Sequence, residues 1–243
     1  IPGAGHMITS DEMLSDRQLP RSVVFVGGGV ISLEFGHVYA RAGTEVTILE
    51  ALPQLLPAMD ADAVAQLQGE SERMGIRIKT GVSVDKIEPV GDRLRVTFVH
   101  DGREQALEAD RVVNGAGRIA NVDSLDLEAG DVAQANGRLA LDEHLRSTSN
   151  PIVHACGDAV PTSPQLSPIA TYEGDIVGRN IVDGPKYRPD YRGLATSVYT
   201  VPSLAAVGLT ESAARQKGLA VDVHVNDMLG WFSARTYAET VAW

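Results

Sequence analysis

The fold is decided by the stretch from Ser22 to Glu50, which reads SVVFVGGGVISLEFGHVYARAGTEVTILE. Its first five residues form a short, β-branched apolar run that predicts a buried strand. After three glycines, apolar residues at helical spacing predict a helix that ends at Gly43, a favourable C-cap residue. Residues 45–50 predict a second strand. A strand, a glycine turn, a helix and a strand within about 30 residues predict a right-handed βαβ unit.

The glycine loop and the helix start after it read Gly27-Gly28-Gly29-Val30-Ile31-Ser32, which fits the pattern GxGxx[G/A/S]. The first glycine permits a tight turn, and the second allows the backbone to approach a pyrophosphate. The small Ser32 lets the helix pack on the strand, although a third glycine is the commoner residue there. The N–H groups at the helix start, near Val30 and Ile31, would face the phosphates. The alternative reading of three successive glycines is an ordinary turn.

An acidic residue completes the dinucleotide pattern. Glu50 ends the second strand 21 residues after Gly29, where a carboxylate accepts hydrogen bonds from the adenosine ribose hydroxyls. The alternative is an exposed carboxylate at a strand end. This carboxylate would repel a 2′-phosphate, and no Arg or Lys lies between Ala51 and Asp60 to bind one. The sequence therefore predicts a site that prefers NAD(H) to NADP(H).

The remainder of the chain predicts further strands and helices around this unit. Residues 60–74 predict a helix and residues from 76 a third strand, whereas residues 82–109 alternate like an antiparallel insertion. Ser167 is predicted to be the N-cap of a helix that runs to about Val182. Further predicted elements are strands at 138–141, 152–155, 196–199, 205–208 and 221–225, and a helix at 210–217.

Composition excludes several classes of protein. The 243 residues include 32 acidic and 21 basic side chains, a net charge of −11, which argues against nucleic-acid binding. No apolar run approaches the roughly 18 residues of a membrane span, and the first residues do not show the charged and then apolar pattern of a signal peptide. The single cysteine, Cys156, excludes a disulfide framework and a thiolate zinc site, and we expect it to be packed at a strand end. The histidines lack metal-ligand spacing, so we expect no metal site. The single cysteine and the lack of a membrane span favour a cytoplasmic protein.

The glycine loop and the strand ending at Glu50 resemble the NAD(P)H-binding domain of the flavoprotein disulfide reductases. This family includes glutathione reductase, mercuric reductase and dihydrolipoamide dehydrogenase. Four more segments resemble family motifs in the same order: Asn114–Asn121 closing the NAD domain, His154–Ala159 and Leu166–Ala170 at the flavin, and Val198–Glu211 opening the interface domain. Each motif alone is weak, but the ordered set covers essentially the whole chain.

The resemblance implies roles for individual residues. It implies that Glu34 lies near the nicotinamide, although a solvated helix carboxylate is an equal alternative. Asp158 would accept a hydrogen bond from the ribityl chain of FAD, and the helix start at Ser167 would direct N–H groups at the flavin. Without the resemblance, Gly157-Asp158 would be an ordinary turn. The implied NAD site comprises Gly27, Gly29, Val30, Ile31, Glu34, Glu50 and Gly117, and the implied FAD site comprises Gly157, Asp158, Ser167, Ile169 and Ala170.

The expected fold is α/β, with a Rossmann-like parallel sheet that carries an antiparallel insertion. The resemblance implies an NAD(H)-binding domain with its entry linker at 1–120, a returning segment of an FAD-binding domain at 121–187, and the beginning of an α+β dimer-interface domain at 188–243. The first residue is Ile1, and the chain stops at Trp243 in an apolar stretch. We therefore expect a fragment that lacks the N-terminal FAD half and the C-terminal end.

In the family, hydride passes from NAD(P)H to FAD, and electrons then reach a cysteine pair, with a His–Glu pair of the partner subunit as acid and base. Neither pair is present here, so we expect no catalytic residue beyond Glu34 and no activity from this chain alone. The full-length protein is expected to be a homodimeric flavoenzyme with an unspecified electron acceptor. One alternative is a self-contained NAD dehydrogenase, but no Tyr-x-x-x-Lys or similar acid–base group is present. Another is a non-catalytic NADH-binding or dimerising module.

Overall fold

The stretch from Ser22 to Glu50 folds as predicted, into a strand, a glycine loop, a helix and a second, parallel strand. The structure, a computed structural model, describes residues 1–243. Its helices are α1 (Ser10–Ser15), α2 (Val30–Arg41), α3 (Ala61–Arg73), α4 (Ser167–Asp183), α5 (Glu211–Gln216) and α6 (Phe232–Thr236). Its strands are β1 (Ser22–Val26), β2 (Glu45–Leu49), β3 (Arg77–Lys79), β4 (Ser83–Val90), β5 (Arg93–His100), β6 (Arg103–Ala109), β7 (Arg111–Asn114), β8 (Gln134–Ala135), β9 (Arg138–Leu139), β10 (Ala195–Val198) and β11 (Leu204–Val207).

The chain divides into two compact units. The first comprises Ile1–Gly117 and Ala195–Trp243, and the second comprises Arg118–Leu194. The first unit is built on a four-stranded sheet with the order β3-β2-β1-β7. Strand β1 pairs in parallel with β2 on one side and β7 on the other, so Val24 lies opposite both Thr47 and Val112. The α/β class with a parallel sheet is confirmed.

Strand alternation sends the side chains of β1 into two separate cores. Phe25 packs with Leu33 of α2 and Ile48 of β2, in a cluster that also takes residues of α3. Val24 points the opposite way and packs with Phe98 of the antiparallel sheet β4-β5-β6. Because both faces of the parallel sheet are covered, all five residues of β1 are buried. The predicted antiparallel insertion is confirmed as the layer that covers one of these faces.

Residues 195–243 form contacts with the sheet and helices of the first unit. Val198 of β10 is fully buried in the same cluster as Phe25. The backbone N–H of Glu211 donates to Asp60 at 2.8 Å, and the Thr240 hydroxyl donates to Glu70 of α3 at 2.7 Å. Residues 195–243, most of the 188–243 stretch that the resemblance assigns to an interface domain, therefore belong to the first unit and add Val198 to its core.

The second unit centres on α4 and the segment that follows it. Asn180, on the buried face of α4, accepts hydrogen bonds from the N–H groups of Lys186 and Tyr187 and donates to the Tyr187 carbonyl. These bonds hold the chain after Gly184 against the helix. Helix α4 is the longest, with 17 residues, and no helix of the structure combines the length and apolar character needed to cross a membrane.

Two predicted strands are wrong. Residues 152–155 form no strand: His154 makes one isolated bridge to Arg146, and the Ile152 side chain is 84% exposed. Residues 221–225 also form none, and Val223 and Val225 are exposed. Both segments have the apolar pattern of a strand, but a strand requires a hydrogen-bonded neighbour over several residues. No strand of the structure lies beside either segment.

Candidate functional site

The glycine loop leaves β1 and turns directly into α2. Gly27 has a φ of +104°, and a Cβ placed on it would collide with the backbone carbonyl of Gly115 after β7. Only glycine fits where two strand ends approach so closely. Gly29 is the N-cap of α2, and the first intrahelical bond runs from Leu33 N–H to the Gly29 carbonyl at 3.1 Å. The N–H groups of Val30 and Ile31 precede that bond, as an anion site requires.

Glu50 is not the exposed carboxylate that the sequence left as an alternative. Its side chain is buried, with a relative exposure of 8%. One carboxylate oxygen accepts from the N–H of Gly28, and the other accepts from the N–H of Leu52 at 2.6 Å. Two backbone donors therefore fix the carboxylate beside the second glycine. Each oxygen retains a lone pair for one more donor.

A cavity of about 440 Å³ lies along the carboxyl ends of β1, β2 and β7. Four predicted NAD-site residues border it: Gly27, Gly29, Glu50 and Gly117. Gly117 has a φ of +120° and open space where a side chain would stand. Val82, Val84 and Pro57 are among the apolar residues that line the remainder. Ligands of open α/β sheets bind at this edge, outside the carboxyl ends of the strands.

The lining of this cavity fits a dinucleotide by its chemistry. An open glycine edge and a helix N-terminus suit a pyrophosphate, the fixed carboxylate of Glu50 suits a diol, and the apolar wall suits an adenine ring. Glu50 is the only ionisable side chain in the lining. No cationic side chain is therefore available there to neutralise an additional phosphate.

Glu34 lies one turn into α2 and outside this cavity. Its Oε1 accepts a hydrogen bond from the backbone N–H of Tyr199 at 2.8 Å. The side chain is half-buried, so the solvated helix carboxylate of the alternative interpretation is only partly correct. The structure thus links Glu34 to the residue that follows β10, and its proximity to a nicotinamide stays a prediction.

His37, one turn beyond Glu34, is a buried polar residue that sequence reasoning missed. Its Nδ1 accepts from the N–H of Val201 at 3.2 Å, and its Nε2 lies 2.9 Å from the Ser71 hydroxyl of α3. Burial, and then the charge of Arg41, hold the pKa of His37 below its usual value. The local sequence pattern gave no signal for it, because its partners lie on α3 and in the segment after β10.

In the second unit, Gly157 and Asp158 form a short 3₁₀ turn. The Asp158 carboxylate pairs with Arg118 at 2.9 Å, and the same guanidinium donates to the Gln165 carbonyl at 2.9 Å. Arg118 and Asp158 border a polar cavity of about 450 Å³. One Asp158 oxygen therefore remains free of the ion pair and is available to a hydroxyl donor.

Helix α4 begins at Ser167 as predicted, but its N-cap is Leu166 rather than Ser167. Pro168 has no N–H, and the N–H groups of Ile169 and Ala170 both donate to the Leu166 carbonyl at 3.0 Å. Among the first four residues of α4, Ser167 is thus the one whose backbone N–H is not used within the helix and could donate to a ligand. Ile169 buries its side chain, and Ala170 packs against Gly157. The structure therefore brings the predicted flavin residues of α4 beside the Gly157–Asp158 turn.

Glu173 supports this turn from inside the second unit. It is fully buried on α4, and its Oε2 accepts from the N–H of Gly157 at 2.6 Å. Its Oε1 accepts from the Tyr191 hydroxyl at 2.6 Å. Burial, and then this carboxylate, raise the pKa of the Tyr191 phenol. The sequence carried a signal, because Glu173 falls on the stripe that buries Ile169 and Ile176.

Cys156 does not pack at a strand end as predicted. The residue is exposed, and its thiol forms no disulfide. The prediction assumed a buried strand at 152–155, and without that strand nothing covers the side chain. The structure brings together no group of three His, Cys, Asp or Glu side chains that would hold a metal ion.

Comparisons with known proteins agree on one family. The model of the family described as pyridine nucleotide-disulphide oxidoreductase matches residues 1–174. The chain is 33% identical over 228 residues to a mercuric reductase of Staphylococcus aureus, covering 93% of this chain and 41% of that protein. It is 34% identical over 228 residues to a dihydrolipoyl dehydrogenase of Mycobacterium leprae, covering 92% of this chain and 48% of that protein.

A solved structure shares the fold. The HOCl-induced flavoprotein disulfide reductase RclA from Escherichia coli superposes with a TM-score of 0.86 at 27% sequence identity. The match covers 100% of this chain and 55% of that one. The chain thus spans about half the length of the relatives it matches. The matched family model extends over more than half of the chain, through both the glycine loop and the Gly157–Asp158 turn. The chain belongs to the pyridine nucleotide-disulphide oxidoreductase family.

Proposed function

We propose that this chain is the NAD(H)-binding portion of a longer, FAD-dependent oxidoreductase. The observation that carries the proposal is the fixed carboxylate of Glu50 beside the glycine loop, in a cavity that Gly27, Gly29 and Gly117 leave open. In this proposal, the ribose hydroxyls of the adenosine donate to Glu50. The N–H groups of Val30 and Ile31 bind the pyrophosphate. Glu34 lies toward the nicotinamide.

The same geometry supports a preference for NADH over NADPH. A 2′-phosphate would stand beside Glu50, whose oxygens are held in place by two backbone N–H groups. The carboxylate cannot rotate away without leaving those donors unpaired in a buried site. The charge repulsion therefore persists, and the cavity lining offers no cationic side chain to offset it.

We also propose that the second unit contributes to an FAD site. The free oxygen of Asp158 would accept from a ribityl hydroxyl, and the Ser167 amide would donate to the flavin ring. Gly157, Ile169 and Ala170 would shape the surface below it. When bound, the nicotinamide and the flavin supply hydride-transfer chemistry. The chain's own residues bind and orient these groups.

The longer protein, in this proposal, passes hydride from NADH to FAD and reduces a disulfide-type or related acceptor. Residues 188–243 would open its dimer-interface domain, residues 1–120 would form its NAD domain and residues 121–187 its returning FAD segment. The single cysteine of the chain offers no dithiol, so reduction of the acceptor is assigned to groups elsewhere. A homodimer in the cytoplasm completes the proposal.

Titration with NADH and NADPH tests the nucleotide site. We expect the wild-type chain to bind NADH at least about tenfold more tightly than NADPH, because a carboxylate–phosphate contact costs more than about 1.4 kcal/mol. Glu50→Ala should lose NADH affinity and most of this discrimination. Glu45→Ala, on the exposed first residue of β2, is the matched control and should bind as the wild type does. Equal affinity of the wild type for the two dinucleotides would contradict the role of Glu50.

A non-catalytic NADH-binding or dimerising module is the second candidate. The chain has a cavity suited to NADH, but its one cysteine is exposed and cannot form a redox pair within the chain. Binding without catalysis is therefore the second candidate. The absorbance of purified protein separates the two candidates. If the full-length protein shows the yellow absorbance band of a flavin, the FAD-dependent oxidoreductase is supported. If it is colourless and still binds NADH, the non-catalytic NADH-binding module is supported.

A further inference from the structure

Helix α2 holds the segment after β10 with two side chains that stand one turn apart. Glu34 Oε1 accepts from the N–H of Tyr199 at 2.8 Å, and His37 Nδ1 accepts from the N–H of Val201 at 3.2 Å. The chain bends at residues 200–202, directly after β10. The two side chains bind the N–H groups of Tyr199 and Val201, on either side of Thr200. We call residues 199–202 the held segment.

The hydrogen bonds determine which nitrogen of His37 carries the proton. A backbone N–H can only donate, so Nδ1 must keep its lone pair for Val201. The Ser71 hydroxyl donates to the Leu67 carbonyl at 2.7 Å, so its oxygen accepts the proton of Nε2. His37 is therefore the neutral Nε2–H tautomer. A proton on Nδ1 would face the Val201 N–H and break the contact.

No carboxylate contacts the His37 ring, whose two nitrogens bind Val201 and Ser71. On α2, Arg41 adds positive charge and Glu34 is bound to Tyr199. On α3, Glu70 pairs with Arg73, and Glu72 accepts from Gln68 at 2.9 Å. The held segment presents only the backbone amide of Val201. Protonation therefore costs the contact without a compensating ion pair.

We propose that His37 is a positioning residue for the nicotinamide half of the dinucleotide and that its protonation releases the held segment. The inference rests on the proposed function. Glu50 would bind the adenosine end and the N-terminus of α2 the pyrophosphate, so the other half extends toward Glu34. The held segment bonds to Glu34 itself. An unprotonated His37 keeps this surface in place, whereas the adenosine half is bound by residues that His37 does not contact.

Two ligands separate the halves of the site: NADH, and ADP-ribose, which lacks the nicotinamide. Each is titrated against the wild-type chain at several pH values from about pH 8 down to about pH 5, because the pKa of His37 lies below the ordinary value of histidine. We expect NADH to bind about three- to tenfold more weakly at the acid pH, the worth of one hydrogen bond. ADP-ribose affinity should change by less than about twofold.

Two matched variants assign the effect to His37. In His37→Asn, the amide oxygen replaces the Nδ1 acceptor and does not titrate, so NADH affinity should persist and its pH dependence should disappear. His100→Asn removes the histidine that ends β5 and lies 3.6 Å from Asp101, away from α2, and should retain the wild-type pH profile. The amide exchange rate of Val201 in the unliganded wild type gives a readout without variant or ligand. Relative to the intrinsic rate of an unprotected amide at the same pH, it should rise as His37 takes up a proton.

Three results would overturn the inference. The first is an equal loss of affinity for NADH and ADP-ribose at acid pH, and the second is a wild-type pH profile in His37→Asn. The third is a Val201 amide whose protection from exchange does not change when His37 is protonated. A failure of the proposed function looks different. In that case the wild type binds neither ligand at about pH 8, while Val201 exchange still follows the protonation of His37.

Discussion

At the scale of single residues, Gly27 and Gly43 distinguish two ways in which a side chain can destabilise the protein: backbone strain and steric collision. Both have positive φ angles, +104° and +94°. A Cβ on Gly27 would strike the backbone of Gly115, whereas a Cβ on Gly43 would meet nothing within 4 Å. We expect Gly43→Ala to cost about 1 kcal/mol of unfolding free energy, the strain of the backbone alone. Gly27→Ala should cost more than about 3 kcal/mol, because neither backbone can yield.

Chemical denaturation of the two variants measures this difference directly. Gly43→Ala is the control for backbone strain, since it shares the φ but lacks the collision. Similar losses in the two variants would show that the contact between the glycine loop and Gly115 relaxes at little cost.

Glu50 and His37 differ in how far their partners lie along the chain. Glu50 could be predicted as a site residue because its partner Gly28 belongs to the same βαβ unit. The contacts of His37 come from Ser71, 34 residues away, and Val201, 164 residues away. Local pattern carries no information about contacts of that separation. The sequence therefore indicated the glycine loop and its acidic residue and left His37 as a scattered histidine.

At the scale of elements, α4 and the segment after it depend on a buried carboxylate. The Tyr191 hydroxyl donates to Glu173 in the interior, and the Tyr187 hydroxyl donates to Asp183 at the surface at 3.0 Å. We expect Tyr191→Phe to destabilise the second unit by about 2 kcal/mol, because a buried carboxylate oxygen loses its donor. Tyr187→Phe keeps the ring over Arg179 and should change stability by less than about 0.5 kcal/mol.

Thermal and denaturant unfolding of the two phenylalanine variants check this expectation. The pair is matched, since both remove one hydroxyl from the same short segment. If Tyr187→Phe were the more damaging change, the support of the Gly157–Asp158 turn by Glu173 and Tyr191 would be wrong.

The elements that could be predicted are those whose stability is local. The spacing of apolar residues and a terminal glycine were sufficient for α2, and turn residues were sufficient for the hairpins of β4-β5-β6. The apolar run at 152–155 has the composition of a strand but no adjacent strand in this chain. An apolar run indicates that a segment is suited to burial, but it does not indicate whether an adjacent strand is present to pair with it.

At the scale of the whole molecule, the two units predict two separable unfolding transitions. Each unit has its own contacts, and the proposed NADH cavity lies wholly within the first. A ligand that binds only the folded state stabilises it by about 2.7 kcal/mol at 100 times its Kd. In scanning calorimetry, NADH should therefore raise the transition of the first unit and leave the second unchanged. Gly27→Ala should lower only the first, and Tyr191→Phe only the second. A single transition that all three changes move together would show that the units unfold as one.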